Sequence, residues 1–252
     1  LMLHDRLYLA TIAADADETA SRFGLGLEID EFCTAANFDA DFDRWDGVAR
    51  AHLAHSDRFV FHAPFAELCP CAIDPMVRDV TMRRFRQAAA LSRAYGIRRI
   101  VVHSGFIPHV YYPVWFVEQS ARFFRALLDA EPEVALCVEN VLDDDPAPLM
   151  DLADAVDDPR LGLCLDVGHA NAVSKIPVRQ WLKRLAPRLM HLHLHDNDGA
   201  ADLHQIPGDG SLGFPGLMDE IEAAAPKATL TFECMDGAGC AHRLAEYGWL
   251  ER

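Results

Sequence analysis

Three histidines stand at alternate positions, His191, His193 and His195, in "HLHLHDND" (191–198). Alternate side chains of an extended strand share one face, so these imidazoles point one way and Leu192 and Leu194 the other. Imidazole binds metals and carries protons near neutral pH. Other apolar runs end on polar residues in the same manner: Glu28 in "GLGLEI", His62 in "FVFHAPF", His103 in "IVVHSGF", Glu139 in "VALCVEN", Asp166 in "LGLCLDVGHA" and Glu233 in "TLTFECM". In the fifth run Val134, Leu136 and Val138 alternate with Ala135, Cys137 and Glu139. The same phase links Gly162, Cys164 and Asp166, and Thr231 with Glu233. An unpaired buried carboxylate costs several kcal/mol, so carboxylates gathered in one volume call for a cation. Imidazole and carboxylate together suit Zn²⁺ or Mn²⁺.

The elements that carry these residues alternate along the chain. Strand patterns fall at 7–13, 24–32, 58–65, 98–106, 134–141, 161–170, 189–196 and 228–235, with amphipathic helix patterns between them. Strict alternation implies a parallel sheet. Eight units in 252 residues predict a single (β/α)8 TIM barrel domain over 1–252. A doubly wound sheet is disfavoured because no Gly-rich phosphate loop follows the first strand. The two glycines of "GLGLEI" read as close packing. In a barrel the polar strand ends meet at one mouth, where active sites are built. His191, His193 and His195 then lie at successive depths about 6.6 Å apart. His193 falls level with Glu139, Asp166 and Glu233; His191 lies deeper in a hydrogen-bonded role, and His195 at the rim beside the substrate. After the seventh strand, "DLH" places Asp202 and His204 where one loop could grip an ion, and His169 lies one helical turn beyond Asp166. "GDGSLGF" resembles a phosphate-binding turn, but Asp209 within it argues against that role.

Composition narrows the partners. The net charge is −16, from 23 Lys and Arg against 39 Asp and Glu. A body this acidic repels phosphate backbones, so a nucleic-acid partner is disfavoured. The mouth loops "EFCTAANFDADFD", "ENVLDDDP" and "DNDGAAD" are themselves acidic, and the basic "RRFR" (83–86) is expected toward the closed bottom. No apolar run approaches the roughly 18–20 residues of a membrane span, and the first residues do not read as a signal peptide. The seven cysteines are odd in number and scattered, as expected of reduced thiols in a cytoplasmic protein. "CPC" (69–71) reads as a loop with incidental cysteines rather than a thiol pair. His109, Tyr111, Tyr112 and Trp115 either stack on a sugar or pack a helix start.

With these marks in this order, the chain resembles the xylose isomerase-like TIM-barrel superfamily, which joins sugar isomerases and epimerases to zinc apurinic-site endonucleases. The marks are "HAPF", "VVHSG", "CVEN", "LCLDVGHAN", "HLHLHDNDG" with "DLHQIPGDGSLGF", and "TFECM". The resemblance implies one divalent metal held by Glu139, Asp166, His193 and Glu233, with Glu139 and Glu233 also moving protons. It further implies that His62, His103, His169, Asp202 and His204 match extra ligands of the endonucleases, giving up to three metals in that alternative. The expected function is metal-dependent isomerisation or epimerisation of a small ketose, aldose or related polyhydroxy carbonyl compound through a metal-stabilised enediolate, within carbohydrate metabolism. Asp196, Asn197 and Glu28 are expected to bind substrate, as are His62 and His103 if they are not ligands. A homo-oligomer is compatible with the reading.

Overall fold

In the computed structural model, which describes residues 2–250, the chain closes a parallel barrel in the order β1 to β8. The strands are β1 (Leu7–Ala10), β2 (Gly26–Ile29), β3 (Phe59–His62), β4 (Arg99–His103), β5 (Ala135–Glu139), β6 (Leu161–Asp166), β7 (Leu189–Leu194) and β8 (Thr229–Phe232). Each is shorter than its apolar run in the sequence. Ladder pairing stops where the polar residue begins its turn into the mouth, while the apolar run continues into the loop. Residues 1, 251 and 252 of the expected domain lie outside the described residues.

Helices wrap the barrel: α1 (Ala16–Phe23), α2 (Phe42–His52), α3 (Pro75–Ala94), α4 (Pro113–Ala130), α5 (Ala147–Val156), α6 (Val167–Val173), α7 (Val178–Leu185), α8 (Gly216–Ala224) and α9 (Gly237–Glu246). Short α6 follows β6 without a break, a helix that the strand-like run "LGLCLDVGHA" hides. Asp166 ends the strand and caps α6 by accepting the His169 N–H at 2.7 Å. Asp74 and Asp236 cap α3 and α9 in the same way. Asp15 stands at the start of α1 without capping it and accepts the Gly237 and Ala238 N–H groups at the start of α9, joining the first helix to the last.

Outward strand residues such as Leu136, Val138, Leu163, Leu165, Leu230 and Phe232 are buried under the helices. Tyr8, Val60, Val101, Cys137 and Cys164 fill the barrel below the mouth. The Gly26 position sits against the Tyr8 ring, 2.2 Å from where a Cβ would stand, so this glycine serves close packing as expected. The basic 83–86 stretch lies halfway along α3, on the barrel's flank rather than its bottom. Arg84 pairs with Asp39, and Arg86 and Arg93 with Glu131. These cations are spent on neighbouring helices.

Candidate metal centre

Strand register sets the polar residues side by side. His103 pairs with Glu139 across β4 and β5, and Asp166 with His193 across β6 and β7. His193 is fully buried, and its Nε2 lies 3.1 Å from Glu28 Oε1. With Nε2 held there, Nδ1 faces the carboxylates, 3.3 Å from Glu139 Oε1, 3.2 Å from Glu233 Oε1 and 3.9 Å from Asp166 Oδ2. The four expected core residues therefore converge on one point. Neither His193 Nδ1 nor Glu139 Oε2 has a hydrogen-bond partner, although both are buried. Orphaned donor atoms in a ring of carboxylates fit a divalent cation.

The five further residues close around the same carboxylates. His62 and His103 each bring Nε2 to 3.4 Å from Glu139 Oε2. His169 Nδ1 lies 3.3 Å from both Glu139 and Asp166, and its Nε2 3.3 Å from Asp202. His204 Nε2 is 3.2 Å from Asp202 Oδ2. One ring nitrogen of His62, His169 and His204 faces a backbone carbonyl, of Ala63, Asn140 and Glu233 respectively. That contact fixes each tautomer and points the other nitrogen at the site. Three-residue groups able to hold an ion include His62, His103 and Glu139, and Glu139, Asp166 and His193; His169, His195, Asp202 and His204 form a further group.

Charge within the cluster is balanced by protons. Burial opposes ionisation of Glu139, but His193 and His103 override it and hold the carboxyl well below its usual range. Glu233 goes the other way: burial, then nearby Glu139 and Asp166, raise it against the pull of His193. Despite burial, contact with Glu139 lifts His62 to about 9, and contact with Asp202 does the same for His204. Burial, helped by the surrounding imidazoles, drives His103 down to about 3 against the pull of Glu139.

Several expectations change. His191 is the hydrogen-bonded core residue anticipated: Nδ1 meets Thr229 at 2.6 Å and Nε2 meets Glu28 at 3.0 Å. His195 does not lie at the rim. It is buried, 3.1 Å from Asp166 Oδ1, and stacks on His204 at 4.0 Å. The Gly168 position explains this, since a Cβ there would stand 2.0 Å from the His195 ring. Asp196 and Asn197 do not face the mouth as substrate-binding residues should. Asp196 accepts N–H groups from Asn197, Gly208 and Leu212, and Asn197 bonds Gly168, Asn171 and Gly199. Both are spent in tying the loop that carries Asp202 and His204. Glu28 likewise lies beneath the site, engaged by His191, His193 and Thr231 rather than open to substrate.

Sequence reasoning missed Asp30 and Asp143, which are buried at the mouth. Burial lifts Asp143 to about 7, although Ser104 and the Val141 N–H bond it. Nothing in their loop sequences distinguishes them from solvated acids. The cysteines of "CPC" are paired after all, with Sγ atoms 3.5 Å apart and Cys69 also 3.5 Å from the Tyr111 hydroxyl. All seven cysteines are free, and Cys33 and Cys69 are the two that are partly exposed. Trp115 packs, donating to the Cys71 carbonyl, whereas Tyr112 is exposed. No helix among the described residues is long and apolar enough to cross a membrane.

Residues 25–249 match the family described as xylose isomerase-like TIM barrel. Of two curated relatives that it matches, the chain spans 63% and 24% of the length. The second is the fructoselysine 3-epimerase of Escherichia coli O157:H7, 41% identical over 66 residues, or 26% of this chain. A solved D-tagatose 3-epimerase-like protein superposes with a TM-score of 0.78 at 20% identity, covering 96% of both chains. A Thermus thermophilus protein soaked with zinc chloride superposes at 0.73 with 27% identity, over 96% of this chain and 99% of that one.

Proposed function

Because this chain belongs to the xylose isomerase-like TIM-barrel family, we propose that it is a divalent-metal-dependent sugar isomerase or epimerase acting on a small polyhydroxy carbonyl compound. The observation that carries the proposal is the convergence of Glu139, Asp166 and Glu233 on His193 Nδ1. The epimerase names among its relatives support the reaction class, and the zinc-soaked neighbour supports the ion. Zinc or manganese is the proposed metal, and a reducing cytoplasm, suited to seven free thiols, the proposed setting.

Bound among these four residues, a divalent ion would supply Lewis-acid polarisation of a carbonyl and its neighbouring hydroxyl. The chain itself supplies the rest. Glu139 on β5 and Glu233 just beyond β8 approach one nitrogen from either side of β7, so a ligand bound there would meet both carboxylates. One takes the proton from carbon, leaving an enediolate, and the other returns a proton. Glu28 keeps the His193 ring in place from below.

Glu139→Gln and Glu233→Gln should each lower turnover by about 10²- to 10⁴-fold while leaving the fold intact. Deuterium uptake at sugar carbon in D₂O, followed by NMR across a panel of ketoses, measures this. Near-wild-type exchange in either variant would sink the proposal. The second group, His169, His195, Asp202 and His204, favours a second reading as a zinc-dependent apurinic-site endonuclease. Two or three metals per chain by elemental analysis, together with nicking of abasic DNA, would favour that reading; one metal favours the isomerase.

A further inference from the structure

Outside the ionic cluster, against its β4 side, lies a second cavity of about 510 Å³. His103 is a shared wall: its Nε2 lies 3.4 Å from Glu139, and its ring stacks at 4.5 Å on Phe65, which lines the cavity. The volume falls within the range of small-molecule sites. Its lining is dominated by apolar side chains, and six large ones stand open to solvent there: Phe65, Ile73, Val77, Ile107, Val110 and Leu142. So many exposed apolar groups around one opening mark a binding surface. The charged side chains that line it are Glu67 and Asp74, with no Lys or Arg. A phosphate would therefore meet two acids and no lining Lys or Arg. The cavity adjoins the place where the sugar would react, so one ligand can fill both.

Granted the sugar chemistry above, we propose that the substrate carries an uncharged apolar substituent, alkyl or aryl, and that this cavity receives it. Free and phosphorylated sugars are then poor ligands. Cys69 lines the same cavity, which gives a readout independent of turnover.

The zinc-loaded chain is titrated calorimetrically with D-fructose, D-fructose 6-phosphate and 1-deoxy-1-(phenylamino)-D-fructose. The phenyl compound should bind about ten- to a hundredfold tighter than fructose, the gain expected from burying one ring. It should also shield Cys69 from iodoacetamide, a protection that fructose does not give. Fructose 6-phosphate should bind no tighter than fructose. Val110 and Leu142 are 58% and 47% exposed, so Val110→Asp and Leu142→Asp should fold normally. Both should erase the phenyl preference and leave fructose binding unchanged. Equal affinity for the phenyl compound and fructose overturns the inference, as does tight binding without shielding of Cys69. So does a dimer that Val110→Asp splits while phenyl affinity stays the same, since a second copy would then cover the cavity. Deuterium exchange separates the two readings. Exchange without a phenyl preference sinks only this inference, and a phenyl preference without exchange of any sugar sinks only the catalytic reading.

Discussion

A side chain's neighbours decide what the same chemical group can do. Twelve histidines are present, yet their roles divide by which nitrogen is already engaged. His191 uses both and is inert; His62, His169 and His193 each use one and offer the other, and His204 holds the Glu233 carbonyl with Nδ1 and Asp202 with Nε2. The cysteines divide the same way. Contact with Cys71, opposed by burial and aided by the Tyr111 hydroxyl and backbone N–H groups, pulls the Cys69 thiol down to about 6. Burial, with Asp30 beside it, pushes half-exposed Cys33 up to about 12. Because the thiolate is the nucleophile, alkylation speeds up as pH rises through the thiol's own pKa. Iodoacetamide labelling of Cys69 should therefore reach half its plateau rate at a pH of about 6, with Cys33 silent at neutral pH. Peptide mass mapping checks this, and equal labelling of both at neutral pH would contradict it. The mouth carboxylates and histidines were legible because each ends an apolar run. The thiol pair was not, because two residues of spacing in a loop does not say whether the sulfurs face each other.

Elements are held to one another by polar ties that periodicity does not register. His52, the last residue of α2, puts Nδ1 2.5 Å from Asp17 on α1 and Nε2 3.0 Å from Glu31 beyond β2. Burial works against its charge, but Glu31 and Asp17 raise it to about 9. A raised pKa contributes stability that is complete below the unfolded value of about 6.5 and is lost as pH climbs through about 9. His52→Gln should therefore cost about 1–2 kcal/mol near pH 6, a modest figure because Asp17 is partly solvated, and little near pH 10. Urea midpoints at the two pH values measure the difference; an equal cost at both would exclude the ion-pair account. Eight strands were readable from alternation, whereas their ends were not. The strands end at Asp166 and His103, but apolar composition runs on into α6 and the β4 loop.

The whole molecule is an acidic barrel whose buried carboxylates are balanced by protonated imidazoles. A divalent ion must displace those protons. Zinc binding near pH 7 should release protons, and apparent affinity should rise with pH until His62 and His204, both near 9, are neutral. Calorimetry in two buffers of different ionisation enthalpy counts the protons. Chelation should lower Tm, and restored zinc should raise it by mass action. Affinity that is flat with pH, without proton release, would remove these histidines from the ligand set. The sequence by itself determined the barrel, its mouth and the six strand-end residues that gather there, His62, His103, Glu139, Asp166, His193 and Glu233. Those follow from local rules: strand alternation sets the face, and parallel closure brings all strand ends together. Only the tertiary structure decided which of them point their free atoms inward. Asp196, Asn197 and Glu28 share the residue types and depth of ligands, yet each is consumed by neighbours distant in sequence. Hydrogen-bond partners across a barrel depend on register and loop packing, and no local pattern encodes them. The three histidines of β7 show the division: their common face was written in their spacing, but core, carboxylate ring and Asp166 claimed one each only once the barrel had closed.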